Sequence, residues 1–163
     1  MVKKAGRGMS GLILVATLAL VLLGAGETEP TRAEYVTHLE TICRPRSEES
    51  ERALNGVRAD LRAERLNVAA RKFASAQKIF GSSVTETAAV PRPPADAATL
   101  TKWFSYLHEE ERYLGKIAAA LRAGQADRSA RFTARFVHNG NLANNVVLAF
   151  GFNYCAFRAS RFG

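Results

Sequence analysis

Three histidines, two cysteines and a scatter of carboxylates are the residues of this chain best equipped for chemistry, and their spacing limits what that chemistry is. Glu34 and His38 stand four apart, and His108 and Glu111 three apart, so on a helix either pair points two ligands to one side. A dinuclear metal bundle needs Glu-x-x-His pairs on inward faces, joined by carboxylates from other helices. No Glu-x-x-His pair occurs here, and His138 has no partner at ligand spacing beyond asparagines. The histidines therefore read as surface or helix-end residues, and no metal or other cofactor is expected. A metal-binding or redox bundle built on His38 and His108 stands as the alternative. Nucleophilic chemistry is no better supplied: there is no Gly-x-Ser-x-Gly elbow, and Ser82 and Ser83 have no base close by in sequence. Phosphate-binding glycine loops and zinc-ligand spacings are missing as well. The expectation is a protein that is not an enzyme.

The cysteines depend on compartment for their meaning. Lys3, Lys4 and Arg7 form a basic start, Leu12 to Leu23 is an uncharged apolar run, and Gly24-Ala25-Gly26 supplies small residues for cleavage. That order is a secretory signal, with an apolar run short for a membrane-spanning helix. Residues 1–26 are thus read as a signal peptide or, if uncleaved, an N-terminal membrane anchor, and 27–163 as one domain. The expected location is outside the cytoplasm: secreted, or held at the outer face of the cytoplasmic membrane. In an oxidising envelope, Cys43 and Cys155 read as one bridge; in a reducing cytosol they would be two buried thiols. Closing so long a loop stabilises a fold by on the order of 4–5 kcal/mol in the chain-entropy picture.

The elements that must position these residues are all helical. Thr31 followed by Glu34 is a capping box opening a first helix, on which Tyr35, Leu39, Ile42 and Cys43 share a face. Pro45 is expected to kink or break it, because it has no N–H to bond Thr41. Ser47 restarts the helix, and Leu54, Val57 and Leu61 continue its buried stripe. A second helix covers about Asn67 to Ala89 and ends at Pro91-Arg92-Pro93-Pro94. Asp96 is expected to cap a third, with the stripe Leu100, Trp103, Phe104, Leu107, Leu114, Ile117 and Leu121, closed by Gly124. A fourth starts near Asp127 and runs through Phe132, Phe136, Asn139, Ala143, Val146, Phe150 and Phe157. Short connections predict an all-α, antiparallel up-down-up-down four-helix bundle with the first and fourth helices as neighbours. That topology brings Cys43 and Cys155 to one end.

These motifs resemble a family of uncharacterised actinobacterial secreted proteins and lipoproteins. The resemblance lies in Tyr35-Val36 with Ile42-Cys43-Arg44, in the turn Arg92-Pro93-Pro94-Ala95-Asp96, in the helix end Ala120 to Gly124, and in Ala143-Asn144 with Gly151-Phe152-Asn153-Tyr154-Cys155. It implies export, a helical fold and the cysteine pair, and no assigned activity. A lipobox cysteine common among such proteins is missing here.

Two surfaces remain as candidates for binding. From His138 to Tyr154, asparagines alternate with large apolar residues, so this helix is expected to be buried all round or to touch something besides its bundle. Asn139 and Asn144 are read as a buried polar network that fixes helix register, or with Trp103 as the lining of a small-molecule pocket. Gly140 and Gly151 allow a close approach. Arg44, Arg46, Arg52, Arg58, Arg62, Arg65, Arg71 and Lys72 crowd the first two helices, within a domain whose 20 basic residues exceed its 15 acidic ones. No aromatics lie among them, and export argues against nucleic acid. The partner expected is an anionic lipid or cell-wall polymer, with membrane contact otherwise only through an uncleaved N-terminal segment. The sequence thus predicts an exported binding or scaffolding module, set against a merely solvated basic face.

Overall fold

The computed structural model describes residues 29–162, so the targeting segment 1–26 lies outside the described residues. Helices account for all the regular structure among them: α1 (Arg32–Leu54), α2 (Val57–Arg62), α3 (Leu66–Ala88), α4 (Ala97–Arg122) and α5 (Ala126–Val146), with three short 3-10 turns. None of these helices is long and apolar enough to cross a membrane.

Local chemistry sets most of the boundaries. Thr31 and Glu34 form the expected capping box, the Thr31 N–H donating to the Glu34 carboxylate at 2.8 Å. Pro45 does not break α1, which is continuous to Leu54. Pro45 and Thr41 are both exposed, so the carbonyl left without its helical partner faces water rather than an apolar core. The break comes instead at Asn55-Gly56, where Gly56 has φ +72° and starts the short α2. There Asp60, not Leu61, turns inward: Asp60 is buried and Leu61 is 36% exposed. At the far end of α4, Gly124 takes φ +70°, the left-handed geometry a helix end requires.

Asp96 does not cap α4 with its side chain. It takes a two-point hold from Arg32 of α1, with hydrogen bonds of 2.9 and 2.5 Å. A forked guanidinium–carboxylate contact is stronger than one neutral N–H bond, so the carboxylate turns to the arginine.

α1 packs on α3, α3 on α4 and α4 on α5. Contacts run in opposite senses along each pair: Arg46 meets Glu86 while Asn55, just past α1, meets Lys72; Gly81 lies against Glu111 while Gly115 lies against Gln77; and Tyr106 meets Asn139 while Lys116 lies over Phe132. α1 and α5 make at most marginal contact; the 3-10 turns Leu148–Phe150 and Ala159–Phe162 are what reach α1 from the end of the chain. The fourth helix accordingly stops at Val146, short of the expected Phe150 and Phe157. Asn144, Asn145, Val146 and Val147 are all weak helix formers, and Gly151 at φ +66° reverses the chain. The residues that follow α5 are thus a tail folded back over the bundle.

Two apolar clusters fill the interior. One gathers Tyr35, Leu39, Val84, Leu100, Trp103 and Phe104 with Phe150 and Phe152 of the tail. The other gathers Leu54, Val57, Ala69, Phe73, Leu114, Ile117, Leu121 and Phe136 at the opposite pole.

Candidate functional site

Cys43 and Cys155 form a disulfide across 112 residues, with Cα atoms 5.1 Å apart. Cys155 sits in the tail rather than late in a helix. Two further clamps hold the same stretch. The Glu40 carboxylate accepts from the backbone N–H groups of Asn153 at 2.7 Å, Tyr154 at 2.9 Å and Cys155 at 3.4 Å. Asn144 pairs with the Phe157 backbone in both directions: its amide donates to the Phe157 carbonyl and its oxygen accepts from the Phe157 N–H, each at 2.8 Å. The Phe157 ring then lies on Gly140, where any Cβ would collide with it, and meets Phe136 edge-on at 5.3 Å. The close approach expected at Gly140 is therefore made by a ring. Gly151 has open space around it and serves the turn.

Under this tail lies a cavity of about 80 Å³. Its wall takes Cys43 and Arg46 from α1, Phe80 and Val84 from α3, Trp103, Leu107 and Glu110 from α4, Ala143 and Asn144 from α5, and residues 154–158. Trp103 and Asn144 thus meet at a pocket, as one reading of the sequence had it. Asn139 and Asn144 do not share a network: Asn139 donates to the Tyr106 carbonyl at 2.9 Å, while Asn144 holds the tail.

Glu110 was not singled out from sequence. It is 1% exposed, and its Oε1 has no hydrogen-bond partner. Burial pushes its carboxyl up to about 8, against a hydrogen bond from the Asn139 amide that pulls the other way. The signal for it lay in the α4 stripe: Leu107 and Leu114 leave one empty core position at 3–4 spacing, and Glu110 occupies it. Tyr35 is a second buried polar group, its hydroxyl unpartnered and raised to about 12 by burial.

The eight basic residues singled out from sequence divide into two places. Arg44 stacks over Tyr154 and pairs with Glu48, while Arg46 bonds Glu86 and Glu49, so both belong to the tail side of the molecule. Arg52, Arg58, Arg62 and Arg71 are exposed around α2 at the other pole. Arg65 and Lys72 are at that pole too, but both hold the buried Asp60, at 2.7 and 2.6 Å. Lys72 first and Arg65 second keep the Asp60 carboxyl below the usual carboxylate range. Sequence reasoning missed the contribution from the far end of the chain. Antiparallel packing brings Arg122 of α4 with Arg128, Arg131 and Arg135 of α5 to the same pole, over the cluster that joins Leu54 and Val57 to Leu121 and Phe136.

His38, His108 and His138 are exposed, and Glu111 lies against Gly81. Among the described residues no three His, Cys, Asp or Glu side chains gather where they could hold a metal ion.

Fold and site together define a disulfide-closed helical bundle with a strapped cavity at one pole and a cluster of cations at the other. No family model, no curated protein and no solved structure matches the chain.

Proposed function

We propose that this is an exported, non-enzymatic up-down-up-down bundle of the cell envelope, acting as a binding or scaffolding module for an anionic lipid or wall polymer. The basic pole is its contact surface. One observation carries the reading. Segments 51–72 and 122–135, which meet at that pole, hold ten Lys and Arg against four Asp and Glu. Residues 29–50, 73–121 and 136–163 are balanced, with ten of each sign. The charge excess of the domain is thus local, and a local excess attracts a polyanion where a dispersed one only aids solubility. The signal-like start and the disulfide favour an oxidising location outside the cytoplasm.

Co-sedimentation of the mature protein with phosphatidylglycerol vesicles and with cell-wall fragments tests this. Binding at low salt should weaken steeply as salt rises, since screening shortens to about 8 Å at physiological ionic strength. Replacing Arg58, Arg62 and Arg71 by Gln should abolish binding, while Arg44→Gln on the tail side should leave it intact. Failure to bind either material at low salt would remove the proposal.

A further inference from the structure

The cavity under the tail is separate from the basic pole. We propose that it takes a small, largely apolar, uncharged molecule bearing one acceptor oxygen of the ether or carbonyl kind, held by the Glu110 side chain. Four observations converge on this.

The space is large enough. A single water needs roughly 10–15 Å³ of such volume, so about 80 Å³ admits several waters or one six-membered ring. The wall is mostly carbon: Phe80, Val84, Trp103, Leu107, Ala143 and Phe157 face it. Of the hydroxyl groups in the wall, carried by Ser47, Ser50, Ser83, Thr87 and Tyr154, that of Thr87 is already spent on the Ser83 and Val84 carbonyls. Asn144 is spent on the Phe157 backbone and Arg46 on Glu86 and Glu49, so part of the polar lining is already engaged within the protein. An apolar body suits it better.

Glu110 sets the polar end. Its side chain is 1% exposed and its Oε1 is unpartnered, and an orphaned buried oxygen is expensive unless something completes it. Oε1 is the carboxyl oxygen that stays bare. A carboxyl raised to about 8 keeps its proton at neutral pH. With the carboxyl protonated and Oε1 unpartnered, that oxygen is where an O–H donor is free to meet an acceptor. A cationic ligand would meet the Arg158 guanidinium on the same wall, which among the described residues bonds only the neutral Asn153 amide oxygen. The disulfide and the Asn144–Phe157 clamp keep the covering tail in place, so the site is preformed.

Three rings of one shape test this: tetrahydropyran with an acceptor oxygen, cyclohexane with none, and piperidine with a cationic nitrogen. Trp103 is the only tryptophan and lines the cavity, so its emission reports the site alone. Tetrahydropyran should shift that emission saturably, and about five-fold more tightly than cyclohexane when the two are compared below the solubility limit of cyclohexane. Glu110→Leu, whose folding is checked by circular dichroism, should erase the preference, and Glu110→Gln, which keeps a donor, should retain it. Equal binding of the two neutral rings, no saturable change with either, or tightest binding of piperidine would each overturn the proposal. None of these outcomes bears on whether the basic pole binds anionic surfaces.

Discussion

The two poles of this bundle are built from the same four long helices, yet they are held together by different physics. At the tail pole the chain is cross-linked: a disulfide, three N–H groups on Glu40 and the Asn144–Phe157 pair bind residues 153–157 to α1 and α5. Those clamps stand over a cavity and a buried acid without a full set of partners. At the basic pole no covalent link occurs among the described residues, the apolar cluster joins Leu54 and Val57 to Leu121 and Phe136, and the buried acid Asp60 is answered by two cations. One end is fastened over a cavity and an unpartnered acid; the other pairs its buried acid and carries its excess of cations outside. The staple thus sits where a buried acid lacks a partner, and the excess charge where the buried acid has two.

Removing the staple should produce the largest change. Cys43→Ser with Cys155→Ser frees a loop of 112 residues, so unfolding stability measured in urea should fall by about 5 kcal/mol. Hydrogen exchange should show residues 147–158 losing protection first, while α2 and the start of α3 keep theirs. Equal loss at both poles would show that the disulfide supports the bundle evenly and would dissolve the contrast.

Next comes Glu110. Its carboxyl is raised in the fold to about 8 from an ordinary 4.5, so between those values the native state holds a proton that the unfolded chain has released. Stability therefore declines as pH rises through that window, and at pH 7 the loss is roughly 3 kcal/mol. Glu110→Gln should be more stable than the parent at pH 7 by up to that amount and indistinguishable below pH 4. Asp60, at the other pole, has the opposite sign: its carboxyl is depressed, so its contribution is present at neutral pH and disappears as acid protonates it. Denaturation curves from pH 3 to 9 on the parent and Glu110→Gln separate the two. A parent profile flat from pH 5 to 8 would mean that Glu110 titrates normally.

How much of this was readable beforehand differs between the poles. The capping box, the α4 stripe, Gly124 and the cysteine pair are local or compositional signals, and each is present as expected. The end of α5 was misjudged because Phe150 and Phe157 fit a helical spacing, whereas the closure made by Glu40 and Asn144 is visible only across 113 and 13 residues. Pro45 was overweighted because its lost bond is affordable at an exposed position. Glu110 was overlooked because an acid in an apolar stripe reads as a gap, although that gap was its signature. The basic pole was half seen: the cations around α2 are contiguous in sequence, but Arg122 to Arg135 join them only through antiparallel packing.

Smaller effects distinguish the glycines. At Gly140 a methyl group meets the Phe157 ring, which is itself tied through Asn144, so Gly140→Ala should destabilise by roughly 1–2 kcal/mol despite its better helix propensity. At Gly81 the nearest atoms belong to the far end of the Glu111 side chain, which can swing away. Gly81→Ala should then stabilise by about 0.5 kcal/mol. Thermal unfolding of both variants checks the pair, and destabilisation of equal size would mean that the tail clamp is no stiffer than an ordinary helix contact.

The smallest stability effect belongs to the basic pole and is the most informative about purpose. Arg58 and Arg62 are four apart on α2, exposed, and of like charge, an arrangement that weakens an isolated helix by about 0.2–0.5 kcal/mol. Arg58→Gln with Arg62→Gln should therefore leave the fold unchanged or slightly firmer, because both side chains are exposed and neither belongs to the apolar cluster beneath. A fold gains nothing from such a repulsion, so its presence argues that the cations answer to something outside the molecule. If the double variant instead unfolded earlier by 1 kcal/mol or more, the arginines would be structural, and the difference between a fastened pole and a charged one would lose its functional meaning.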